Sequence, residues 1–160
     1  MKKVCTIGIL AVILTAFTLI PKVVQKVSYE GLEKRSQRDD DTLYVVNYWA
    51  TWCKPCVGEM PFFVEAANKF AKQKVKVVFV SLNAPREMET VQRFVEKKKI
   101  RQDVLLLDAG NPNIWVDKVD PSWSGSIPAT VIYKKKEKVF FREGEFTQTE
   151  LDSIINLKLK

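Results

Sequence analysis

The residues with most chemistry to offer are Cys53 and Cys56, in the stretch Trp52-Cys53-Lys54-Pro55-Cys56. Two cysteines three apart can be a redox couple, a structural disulfide or half of a metal site. Zinc needs two further nitrogen or sulfur ligands. The chain has 3 cysteines and 0 histidines, and the third cysteine, Cys5, lies in an apolar run as a small hydrophobe. No metal is therefore expected. A structural disulfide across so short a loop constrains the unfolded chain little. The redox reading has direct physical support, because the thiolate is the reactive form and a helix start stabilises an anion through its free N–H groups and dipole. Cys53 should occupy the cap with its sulfur exposed. Pro55 fits the first turn, where a missing N–H costs nothing. Cys56 falls one turn on, beneath Cys53, close enough to close a disulfide. Cys53 would attack a partner's disulfide and Cys56 would resolve the mixed disulfide. Lys54 either favours the thiolate or is simply solvated. The lack of histidine also removes Ser-His-Asp and Cys-His nucleophiles and c-type haem attachment.

The elements that must position this pair can be read from pattern. Leu43 to Trp49 is a β-branched and aromatic run, expected as a buried central strand. A helix should run from Pro55 to about Gln73, with Phe63, Ala66, Ala67 and Phe70 on one face and a kink at Pro61. Val75 to Leu82 reads as a strand, Arg86 to Lys98 as a helix, and Val104 to Leu107 as a short strand. Asp108 to Ile127 is rich in turn residues, with a short helix near Ile114 to Val116 opened by Asn111-Pro112. Ala129 to Tyr133 and Val139 to Arg142 flank the charged segment Lys134 to Lys138 as a hairpin. Thr147-Gln148-Thr149-Glu150 is a capping box for a last helix through Leu151, Ile154, Ile155 and Leu157. Alternating strands and helices followed by a hairpin give an α/β fold: a mixed sheet, parallel at its centre and antiparallel at its C-terminal hairpin, between helix layers.

The N-terminus speaks for compartment. Lys2 and Lys3 precede an uncharged run, Val4 to Ile20, closed by Pro21 and Lys22. A basic start with an apolar stretch makes a signal peptide or a membrane anchor, residues 1–22. The run falls just short of the ~20 residues of a comfortable span. Either way the positive-inside bias places the rest outside the cytoplasm, on the periplasmic face, with residues 4–20 as the expected tether to the inner membrane. Residues 23–42 read as a polar linker with a short helix, and 43–160 as the folded domain. The net charge is +7, of which the first 24 residues hold three positive charges and no acid. The remaining excess is diffuse and argues against nucleic acid as partner. Hydrophobic residues at 46% and charged residues at 28% exclude a disordered or fibrous chain.

At these residues the chain resembles the thioredoxin superfamily, in particular its exported TlpA/ResA-like branch. The resemblance rests on Val45 to Cys56, followed by Glu59 and Pro61, and on Trp123-Ser124-Gly125-Ser126-Ile127-Pro128-Ala129-Thr130. It covers Leu43 to Leu157 and implies a thioredoxin-like sheet. It implies a cis proline at Pro128 that packs on the disulfide, and a backbone at Ile127 that pairs with the substrate chain. Trp52, Lys54 and Pro55 would join Ile127 and Pro128 in binding substrate. Asn47 stands where cytoplasmic thioredoxins have a buried aspartate. Glu59 matches the branch's CxxCxxE pattern and would manage the proton of Cys56, with its own pKa raised by burial and a nearby thiolate; a plain first-turn acid favoured by the dipole is the other reading. Trp49 belongs to the core, while Trp115 and Trp123 either cover the hairpin edge or shape a partner surface. The resemblance implies a redox-active Cys53–Cys56 disulfide and no cofactor. Strong oxidants of the superfamily carry a histidine between the cysteines, and here Lys54-Pro55 points to a reductant. Its partners would be disulfide-containing exported proteins and a membrane electron donor of thioredoxin-reducing type. A dedicated apocytochrome c reductase and a non-catalytic binding module stay open. A peroxidase lacks the expected threonine three residues before either cysteine.

Overall fold

A computed structural model describes residues 24–160. The anchor or signal over 1–22 and Cys5 lie outside the described residues, among which no helix is long and apolar enough to cross a membrane. Six strands form one sheet in the order β1-β4-β3-β2-β5-β6. They are β1 (Gln25–Val27), β2 (Leu43–Trp49), β3 (Val75–Ser81), β4 (Asp103–Leu107), β5 (Ala129–Lys134) and β6 (Glu137–Glu143). The helices are α1 (Tyr29–Ser36), α2 (Lys54–Lys69), α3 (Met88–Lys98), α4 (Val116–Val119) and α5 (Gln148–Leu159), with 3-10 turns at Ala71–Gln73, Pro85–Glu87 and Pro112–Ile114.

Strand β2 is buried at every position, as its unbroken apolar run predicts for a central strand. It pairs in parallel with β3, Leu43 opposite Val75 through Trp49 opposite Ser81, and antiparallel with β5. Its alternation splits the core in two. Leu43, Val45 and Trp49 face α2, α3 and α5, packing with Met60, Phe63, Val91, Leu151 and Ile155. Tyr44, Val46 and Tyr48 face the other way, toward Leu32 of α1, Val116 and Val119 of α4, Trp115 and Trp123. The sheet thus lies between two layers, the first purely helical and the second built largely from α1 and the irregular segment after β4. The helix through Pro61 is unbroken to Lys69 and ends in a 3-10 turn rather than continuing to Gln73.

Two expectations need correction. Residues 23–42 are more than a polar linker. Gln25–Val27 is a sheet strand, parallel to β4 with Gln25 opposite Leu105, and α1 follows, capped by Ser28, whose side chain accepts from the Gly31 N–H. Only Val27 of the three strand residues is buried, so no alternation is visible in so short a piece, and main-chain pairing to β4 decides it. The folded unit therefore begins ahead of Leu43. The hairpin loop is also tighter than the charged segment suggests. Lys134 pairs with Glu137, leaving Lys135 and Lys136 as a two-residue turn, both at positive φ (51° and 68°).

Candidate functional site

The site lies where the C-terminal end of β2 turns into α2. Cys53 is the N-cap of α2, with an extended backbone (φ −82°, ψ 98°) and its carbonyl accepting from the Val57 N–H at 3.1 Å. Its Sγ accepts from the Cys56 N–H at 3.3 Å. That contact replaces the hydroxyl or carboxylate that usually caps a helix, so the sulfur takes up one of the free donors that favour negative charge. Cys53 and Cys56 form a disulfide, Cα to Cα 5.3 Å. The outer sulfur's residue is 5% exposed and Cys56 is fully buried. Pro55 stands in the first turn, and Lys54, Pro55 and Trp52 are exposed, Trp52 to 66%. The pair sits at the helix start as the spacing predicts, but Cys53 is buried rather than exposed, while its neighbours Trp52, Lys54 and Pro55 are in solvent.

A second segment closes over the disulfide. The Ile127–Pro128 peptide bond is cis, and the Ile127 carbonyl oxygen is 3.8 Å from Cys53 Sγ. Pro128 is buried, and its carbonyl accepts from the Gly144 N–H at 2.8 Å. The residues before it are fixed from both sides. Trp123 Nε1 donates to the Ser126 carbonyl at 2.8 Å, while Ser124 gives its N–H and hydroxyl to the Glu143 carboxylate, each at 2.8 Å. Trp123 and Trp115 are buried; Trp115 stacks with Tyr48, Trp123 packs tilted against Tyr48, and the two indoles meet edge to face. Covering the sheet is thus their main contact, although Trp115 also lines a cleft of about 270 Å³ between the loops after β3 and β4.

Beneath the pair lies a buried polar cluster. Glu59, 1% exposed, has both carboxylate oxygens occupied. Oε1 accepts from Asn47 Nδ2 at 2.9 Å and Oε2 from the Phe146 N–H at 2.8 Å. Asn47 Nδ2 also donates to Thr130 Oγ1 at 3.2 Å, and Asn47 Oδ1 is buried with no partner among the described residues. Burial pushes the Glu59 carboxyl above its ordinary range; the two hydrogen bonds and Arg142 pull it down, and Glu145 adds to the rise. The expected rise is present, with desolvation as its leading cause.

One site residue is silent in the sequence. Asn83, 1% exposed in the loop after β3, takes the Thr51 N–H on Oδ1 at 2.9 Å and donates from Nδ2 to Thr51 Oγ1 at 2.8 Å. Ser81 Oγ donates to the same Oδ1 at 2.9 Å. This clamps the turn just ahead of Trp52 and Cys53 from 32 residues away, and no local pattern marks it. Among the described residues no group of acids and cysteines could hold a metal ion.

Comparison with known proteins agrees with this geometry. A family model described as AhpC/TSA family matches residues 16–142. The chain is 30% identical over 111 residues to the thiol-disulfide oxidoreductase ResA of Bacillus cereus, covering 69% of this chain and 60% of that one. It is 25% identical over 136 residues to ResA of Halalkalibacterium halodurans, covering 84% of this chain and 72% of the relative. The matched region of the chain thus spans about 60% of the length of several such relatives. Among solved structures, a thiol:disulfide interchange protein from Chlorobium tepidum superposes with a TM-score of 0.62 at 21% identity, covering 75% of this chain and 81% of that one. StoA from Bacillus subtilis gives 0.59 at 21% identity, covering 84% and 96%. These superpositions establish the thioredoxin-like fold.

Proposed function

The chain belongs to the AhpC/TSA family, and on that footing we propose that it is an exported thiol-disulfide oxidoreductase that reduces protein disulfides through Cys53 and Cys56. One observation carries the reading: Cys53 Sγ caps α2 and accepts from the Cys56 N–H. In the reduced protein the Cys53 thiolate attacks one sulfur of a substrate disulfide, forming a mixed disulfide and expelling a substrate thiolate. Glu59 then takes the proton of Cys56, and the Cys56 thiolate attacks Cys53 Sγ. The Cys53–Cys56 disulfide forms and the second substrate thiolate leaves. The substrate gains two electrons from the enzyme; of the two protons that its released thiolates take up, one comes from Cys56 by way of Glu59 and the other from water.

The substrate chain would lie along the exposed Trp52, Lys54 and Pro55 and against the backbone at Ile127, whose carbonyl sits beside the attacking sulfur. Pro128 would back that segment. The absence of histidine between the cysteines favours reduction over oxidation. Outside the cytoplasm a reductant needs re-reduction by a membrane electron donor, which a tether at residues 4–20 would keep within reach. The exported proteins it serves would be recognised through their disulfides, with no nucleic acid, metal or cofactor involved.

Cys56→Ser tests the reading. Without the resolving thiol, Cys53 should accumulate mixed disulfides with substrate proteins, visible as thiol-sensitive adducts on a gel. Adducts no more abundant than with a Cys53→Ser, Cys56→Ser double variant would sink the proposal.

A further inference from the structure

The Asn47 amide has an imbalance the proposed reaction does not yet explain. Both hydrogen bonds of this fully buried side chain leave from Nδ2, to Glu59 Oε1 at 2.9 Å and Thr130 Oγ1 at 3.2 Å, and its Oδ1 has no partner among the described residues. A buried carbonyl without a donor keeps its full desolvation cost. The amide is therefore placed to serve an ionised Glu59 at its own expense.

Now let Glu59 take a proton. Oε2 is held by the Phe146 N–H at 2.8 Å, a main-chain donor that cannot become an acceptor. Protonation of Oε1 on the side that faces Asn47 points a donor at Nδ2, also a donor. A half-turn of the amide about χ2 resolves the clash. Oδ1 then accepts from the Glu59 O–H and, once the Thr130 hydroxyl rotates, from Thr130 as well. Nδ2 takes the orphaned place. Each arrangement holds two hydrogen bonds and leaves one amide atom unpaired, so the two are closely balanced. The Thr130 hydroxyl, acceptor in one and donor in the other, is what permits the exchange.

We propose that Asn47 is a positioning residue whose amide turns over as Glu59 gains and loses its proton, so that the carboxyl can hold either state without losing its partners. The role in catalysis rests on the oxidoreductase reading; the turnover itself does not. In the proposed cycle, Cys56–SH and the Glu59 carboxylate become Cys56–S⁻ and the Glu59 carboxylic acid while the amide turns. The amide turns back when Glu59 releases the proton to the departing substrate thiolate or to water. The other charges bearing on Glu59 are Glu145 and Arg142, whose effects oppose each other.

The test uses the oxidised full chain, with no substrate. The Glu59 carboxyl and the Asn47 side-chain amide are followed by ¹³C and ¹⁵N NMR across pH 3 to 9. On the acid side the Asn47 Nδ2 protons should shift upfield and lose protection against exchange relative to the intrinsic rate at each pH, with the same midpoint as Glu59. Asn47→Leu, which removes a partner from both protonation states, should raise the Glu59 midpoint by less than about one pH unit, the difference between a hydrogen bond to a charged group and one to a neutral group; a rise of about two units, the full value of the charged bond, would mean that the amide serves the carboxylate alone and does not turn. Asn47 amide resonances that stay fixed through the Glu59 titration would overturn the turnover, whether or not Asn47→Leu folds. Failure of the oxidoreductase reading would show instead as missing mixed disulfides with Cys56→Ser, and would leave the NMR result standing.

Discussion

Asn83→Ala removes the clamp on the turn ahead of Cys53, and its cost can be worked from the contacts. In the folded protein Asn83 Oδ1 receives two donors, the Thr51 N–H at 2.9 Å and the Ser81 hydroxyl at 2.9 Å. Alanine leaves both without an acceptor. Ser81 is fully buried and has no route to water; its hydroxyl oxygen still accepts from the backbone N–H of residue 83 at 3.2 Å, which alanine keeps. Thr51 is half-buried, so its hydroxyl recovers water when Nδ2 is lost and adds little. Two orphaned donors at roughly 1–3 kcal/mol each, the Thr51 one discounted, give a destabilisation of about 2–4 kcal/mol. That is a large part of the ~5–15 kcal/mol typical of a domain. Urea unfolding of the oxidised protein, followed by tryptophan fluorescence, measures it. Adding Ser81→Ala to Asn83→Ala removes one orphan, so the double variant should lose about 1 kcal/mol less than the sum of the singles. A cost below about 0.5 kcal/mol with strictly additive variants would refute the clamp.

Glu59→Gln should change how stability depends on pH. Burial holds the folded carboxyl above its ordinary value, so between the unfolded and folded values the native state carries the extra proton. The stability this group supplies is complete below that window and is lost as pH rises through it, by at most about 1.4 kcal/mol per pH unit. Glutamine stays neutral throughout, so urea midpoints from pH 4 to 8 should show the variant gaining on the parent as pH rises; parallel curves would contradict this. Lys99 ends α3 in the left-handed conformation at φ 54°, where a side chain is strained. Lys99→Gly should raise stability by about 0.5–1 kcal/mol, read as a higher urea midpoint; a lower midpoint would count against the strain.

What the sequence discloses follows from how local each signal is. Strand β2 and the caps at Cys53 and Thr147 are legible because burial, helix start and cap lie within a few neighbouring residues. The same holds for the buried Glu59, whose place one turn below Cys56 is a matter of helical spacing. Its partners are another matter. Phe146 reaches Glu59 across 87 residues and Thr130 reaches Asn47 across 83, so no spacing rule could have joined them. Asn83 is hidden for the same reason. Strand β1 was missed because three residues with one buried side chain carry no period, and the edge pairing with β4 that makes it a strand is invisible until β4 is in place. Trp115 and Trp123 could be identified as large apolar residues in an irregular segment, but only the fold shows that they roof the second face of the sheet.

The central claim is that a sulfur capping the start of α2 is a thiolate at neutral pH. It is tested most directly by titrating Cys53 in the reduced protein, from the pH dependence of its reaction with iodoacetamide, with the site of alkylation identified by mass spectrometry. The Cys53 midpoint should lie well below the ~8.5 of a free thiol, with Cys56 titrating higher. A Cys53 midpoint at or above that free value would mean that the helix start leaves the sulfur unactivated.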